Sequence, residues 1–154
     1  MRRTTAGDLA RPFLVVGAAV YLVVRYAYDV LPPVQYLWSV PLGFLAVVEV
    51  VISRRVRAVV RHEPHARPLT ALAIARAVAL GKASALVSAG VLGAAVGLIA
   101  DLAARAGTLR AAASDLRAAI VLLVVSGLLL GAGLLLESSG IDPNRSGRSD
   151  VTAA

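Results

Sequence analysis

Two side chains in this sequence could do chemistry in a setting where charge is rare. Glu49 interrupts the aliphatic run Val47-Val48-Glu49-Val50-Val51-Ile52, and Lys82 lies near the start of the long apolar run Ala77 to Ala100. A carboxylate or ammonium in such surroundings is paired, held at a functional site or, for lysine, snorkelled so that its stem lies on apolar surface and its amine reaches the headgroups. Lys82 is the sole lysine among sixteen basic residues. Other arrangements fail on their own spacing. His62-Glu63-Pro64-His65 lacks the H-E-x-x-H separation, and Pro64 breaks the helix that such a zinc site needs, so no metal site is read there. Gly81-Lys82-Ala83-Ser84 resembles a phosphate loop only in its letters. The upstream glycine is replaced by Arg76, and Ala83 stands where Ser or Thr must follow the lysine. No acid–base pair, nucleophile constellation or glycine-rich cofactor loop is present, so neither an enzyme nor a cofactor is expected. The absence of cysteine excludes disulfides and thiolate sites.

Hydropathy sets the elements that must position Glu49 and Lys82. Hydrophobic residues make up 58% of the 154 and the mean hydropathy is +0.79, against roughly 45–50% apolar usage in soluble domains. The run 77–100 carries no charge except Lys82. At about 1.5 Å per helical residue it can cross a hydrocarbon core of roughly 30 Å. Four such segments are read, at about 12–31, 36–53, 77–100 and 118–136. The expected fold is therefore an all-α polytopic membrane protein with four transmembrane helices in one domain, 1–137. A polar tail, 138–154, is read as disordered. The first segment also has the basic start and apolar body of a secretory signal, but no small-x-small cleavage site follows it. Pro12 is expected in the first turn of its helix, where a missing N–H costs nothing. Tyr26, Tyr28, Tyr36 and Trp38 cluster around Pro32-Pro33, as aromatics do at a membrane interface. Arg25 with Asp29 and Asp101 with Arg105 are spaced as i,i+4 pairs.

With four spans, both termini and the middle loop share one side. That side holds Arg2, Arg3, Arg11, Arg54, Arg55, Arg57, Arg61, Arg67, Arg145 and Arg148, against Arg105, Arg110 and Arg117 opposite. The positive-inside bias puts both ends in the cytoplasm. A composition rich in Ala, Val and Arg points to a high-GC bacterial source, and hence to the plasma membrane. Arg54, Arg55, Arg57, Arg61 and Arg67 act as this topogenic signal and can also attract anionic lipid headgroups, at about 1 kcal/mol each near the surface. The formal charge of +7 needs no nucleic-acid partner, and no nucleic-acid-binding motif or aromatic interleaving is present.

Topology then gives depth. Glu49 and Lys82 both fall a few residues inside the cytoplasmic interface, so an intramembrane Glu49–Lys82 ion pair is predicted. An unpaired charge would cost up to about 2.5–3.5 kcal/mol at the bilayer centre, and less at this depth. On a wheel of about 100° per residue, Lys82, Ala89, Gly93, Gly97 and Ala100 share a face, with Ala85 and Gly90 at its edges. Gly93-x-x-x-Gly97 and Gly127-x-x-x-Gly131, with Gly133 beyond, are read as helix-packing surfaces.

The run Val47 to Arg57, with Arg67-Pro68-Leu69 and Ala75 to Ala85, resembles an actinobacterial family of small membrane proteins, domain-of-unknown-function family 3180. The Pro-Pro turn and glycine-rich second half fit it too. The resemblance implies four transmembrane helices, no established activity and genes often near those for folate biosynthesis. Members often follow the last span with an acid and then basic or cysteine residues; here Glu137 is followed by Ser138-Ser139-Gly140. The preferred reading is a structural or accessory membrane protein that packs with itself or a membrane partner through its small-residue faces. The alternative is a small transporter or ion relay built on Glu49 and Lys82.

Overall fold

A computed structural model describes residues 4–30, 35–61, 70–107 and 110–140. Four α-helices make up the fold: α1 (Ala6–Ala27), α2 (Ser39–Val60), α3 (Ala71–Arg105) and α4 (Arg110–Ser139). Short 3-10 turns follow α1 at Tyr28–Val30 and precede α2 at Tyr36–Trp38.

Local chemistry sets the helix limits. The Asp8 carboxylate accepts the Thr5 backbone N–H at 3.0 Å and its hydroxyl at 2.8 Å. This reciprocal cap starts α1 at Ala6, more than a turn ahead of the expected start, and leaves Pro12 inside the helix. Pro41 falls in the first turn of α2, where proline is tolerated. Thr70 caps α3, its hydroxyl oxygen accepting the Ala73 N–H at 3.3 Å. α3 thus overruns the apolar stretch 77–100 at both ends, and α4 continues past Glu137 to Ser139. The remainder of the predicted tail, 141–154, lies outside the described residues, as do Pro32-Pro33, His62, His65 and Arg67.

α3 and α4 form the antiparallel centre. α1 packs along α3 and α2 along α4, each running parallel to its partner, while α2 touches α3 only at the margin. Among the described residues α1 and α2 do not pack on each other. A core of Leu102, Ala112 and Ala119, with Tyr28, Leu98, Ile99 and Leu116 against it, closes the end where α1 and α3 finish. Ala46, Leu129 and Ala132, with Leu42, Leu45 and Val50, join α2 to α4.

The distribution of polarity is inverted relative to a water-soluble bundle. On α2 the exposed side chains at helical spacing are Val40, Phe44, Val47 and Val51, whereas Ala46, Glu49, Ser53 and Val56 point inward. Leu14, Leu22, Val87, Val124 and Leu128 are likewise exposed on the other three helices. The buried hydroxyls of Ser53, Ser88 and Ser126 donate to carbonyls of their own helix at Val50, Ala85 and Leu123. They therefore need no interhelical partner. Three helices, α1, α3 and α4, are long and apolar enough to cross a membrane. α2 is not among them: Glu49, Arg54 and Arg55 all lie within its 22 residues.

Candidate functional site

Close backbone approach organises the centre. A Cβ on Gly93 would run into the Phe13 carbonyl, and one on Gly17 would sit 2.9 Å from the Gly93 oxygen. Gly97 faces the Gly17 carbonyl and the Tyr21 N–H, and Gly90 meets Val16 at ordinary contact distance. The Gly93-x-x-x-Gly97 face is therefore filled by α1 of the same chain. α3 and α4 cross at a second glycine pair. A Cβ on Gly81 would lie 2.7 Å from the Gly133 oxygen, and one on Gly133 would lie 2.7 Å from the Gly81 oxygen. Gly127 makes only an ordinary contact with Leu92, and Gly131 is exposed, with nothing within 4 Å of its would-be Cβ.

Glu49 is fully buried, at 0% exposure. It projects from the inner face of α2, and neither carboxylate oxygen has a hydrogen-bond partner. The Ser84 hydroxyl on α3 stands beside it without closing a hydrogen bond. The predicted Glu49–Lys82 pair is not formed, and the reason is angular. Lys82 and Ser84 are two residues apart on α3, which at about 100° per residue puts them on nearly opposite sides of the helix. Ser84 faces α2. Lys82 shares the face of Gly93, where α1 packs. Depth alone could not reveal this, because α1 and α2 flank opposite sides of the central pair.

Lys82 belongs instead to a polar group at the end where α1 and α3 begin. It is half-buried, and with Arg11 it attracts the Asp8 carboxylate on α1. In the same region Glu137, buried near the end of α4, accepts the Thr4 backbone N–H at 2.7 Å through Oε1. Its Oε2 is buried without a hydrogen-bond partner. In the sequence Glu137 simply follows the apolar run that ends at Leu136. Its place one turn past Gly133, on the same helix face, is the signal that could have marked it as inward-facing.

The opposite end carries a denser network. The Arg105 guanidinium pairs with Asp101, Nε to Oδ2, at 2.7 Å and donates to the Arg25 carbonyl at 3.1 Å. It also lies 5.5 Å from the Tyr28 ring centroid, within the range of a cation–π contact. The Tyr28 hydroxyl donates to Asp115 at 2.9 Å, tying the turn after α1 to α4. The Asp101–Arg105 spacing is thus realised as a contact, whereas the Asp29 side chain lies outside what is described. Arg54, Arg55, Arg57 and Arg61 are all exposed at the end of α2. Among the described residues no group of three or more His, Asp or Glu stands together to hold a metal ion.

A helical bundle with polar groups inside, apolar side chains outside and several membrane-length helices defines the class. Within it, the chain belongs to the family described as protein of unknown function, DUF3180, whose profile matches residues 9–143. No curated protein and no solved structure matches the chain.

Proposed function

We propose that the protein is a structural or accessory component of the bacterial plasma membrane, spanning it four times with both ends in the cytoplasm. The observation that carries this reading is the inverted polarity of α2. Ahead of its arginines, its exposed face is Val40, Phe44, Val47 and Val51, while Ser39, Glu49 and Ser53 are buried. Water would favour the reverse arrangement, while hydrocarbon favours this one. α2 serves as the fourth span because its partners, not its own hydropathy, accommodate Glu49. The exposed Arg54, Arg55, Arg57 and Arg61 then end that span at the anionic inner surface.

The glycine faces on α3 are occupied within the chain, so a second copy or a membrane partner would dock elsewhere. The open surface of α4 around Gly131, with exposed Leu128 and Leu135, is the small-residue surface left for it. Lys82 on the α1 side of α3 and Glu49 on the α2 side favour the accessory reading over a relay of those two residues.

Orientation is tested by cysteine labelling, which has no background in this cysteine-free chain. In intact cells a membrane-impermeant maleimide is expected to label Gly107→Cys and to spare Arg61→Cys and Ser138→Cys until lysis. Labelling of Arg61→Cys before lysis would overturn the topology. The accessory role is tested by affinity purification from native membranes, where a stoichiometric membrane partner is expected. Solute or ion flux through liposomes containing this protein alone would overturn it.

A further inference from the structure

We propose that Glu49 is a proton-binding site. Its carboxyl is carried as the neutral acid in the closed bundle. This is independent of the accessory role.

The surroundings decide between acid and carboxylate. A buried carboxylate is stabilised by two or three donors or by a cation. Glu49 has neither: both oxygens are unpartnered at 0% exposure. From α3 the Ser84 hydroxyl lies beside the carboxyl, and Ser88, one turn on along that helix, is also buried. From α4, Leu129 and Ala132 pack in the apolar cluster that holds Ala46, one turn before Glu49, and Val50 after it. On α2 itself Ser53 lies one turn away, its hydroxyl directed to the Val50 carbonyl, and Arg54 is exposed. Lys82 is on the α1 side of α3, and Glu137 lies near the end of α4 with Thr4 on one oxygen. Among the described residues no cation is in contact with the carboxyl. The neutral acid needs only one acceptor for its O–H, and a hydroxyl such as that of Ser84 beside it can accept as well as donate. A metal cation would need several oxygens at once, and the packed seam offers one carboxyl and one adjacent hydroxyl.

α2 is also the helix best able to expose the site. It is held mainly by side-chain packing on α4 and meets α3 only at the margin. Within a bilayer, opening that seam would face Glu49 with hydrocarbon, which favours the neutral acid as well.

The test is infrared spectroscopy of the full chain in lipid bilayers, with carbon-13 in the glutamate carboxyls. The chain holds three glutamates, Glu49, Glu63 and Glu137. At neutral pH an isotope-shifted C=O stretch of a protonated carboxyl is expected, moving again on transfer to heavy water. It should persist in the Glu63→Gln, Glu137→Gln double variant, where Glu49 is the only glutamate, and vanish in Glu49→Gln. If Glu49→Gln does not fold, the double variant alone decides. Should it show only carboxylate stretches at neutral pH, Glu49 is ionised and the proposal fails. A band lost with Glu137 instead would place the proton on the other buried acid and would equally overturn it.

Discussion

The α1–α3 seam and the α2–α4 seam are both parallel helix contacts in one bundle, yet they are built differently. Along α1–α3 the backbones themselves meet, with Gly17, Gly93 and Gly97 leaving no room for a Cβ. Along α2–α4 side chains mediate the contact through Ala46, Leu129 and Ala132, and Gly43 has an ordinary 3.7 Å neighbour in Val125. Lipid supplies no hydrophobic drive between helices, so close van der Waals packing is what holds the first seam. The second is less intimate, and Glu49 stands beside it.

The largest effect should come from the closest approach. Gly93→Val drives a branched side chain into the Phe13 carbonyl and should destabilise the bundle by about 3 kcal/mol or more, the upper range for overpacking. Unfolding by steric trapping in bicelles would measure it, and an unchanged stability would show that α1 is not held where the structure has it. Gly133→Val tests the central crossing against Gly81 in the same assay, with an expected loss of about 1–3 kcal/mol. Tyr28→Phe removes the hydrogen bond to Asp115 at the far end of α1 and should cost about 0.5–1.5 kcal/mol, the net worth of one hydrogen bond. The smallest changes are expected where a Cβ fits. Gly43→Ala on the α2–α4 seam should be neutral or stabilise by up to about 1 kcal/mol, from the lower chain entropy of alanine. If Gly43→Ala proved as harmful as Gly93→Val, the two seams would not differ as described.

Much of this contrast was legible as spacing. The Gly93-x-x-x-Gly97 face and the Asp101–Arg105 pair both follow from helical periodicity and appear as contacts. What could not be read was azimuth relative to other helices. Gly131 and Gly133 are two residues apart, on nearly opposite sides of α4, and only Gly133 lies at the crossing. The same two-residue step separates Lys82 from Ser84 and defeats the predicted ion pair. Which neighbour lies on which side of a helix is fixed by the packing order α1–α3–α4–α2, and nothing local to either residue encodes that order. The start of α1 was missed for a different reason: the Thr5–Asp8 cap lies in the polar prelude, where hydropathy has no signal.

That packing order bears on how the polypeptide is made. Consecutive helices in the first half of the chain, α1 and α2, are not neighbours; each packs on a helix synthesised later. On leaving the translocon, the first hairpin therefore has no internal mate. The Gly17 groove of α1 stays solvated by acyl chains until α3 arrives. α2 must hold Glu49 without its partner helix until α4 completes the pocket, and a nascent chain halted before Arg110 would be the form most dependent on quality-control factors.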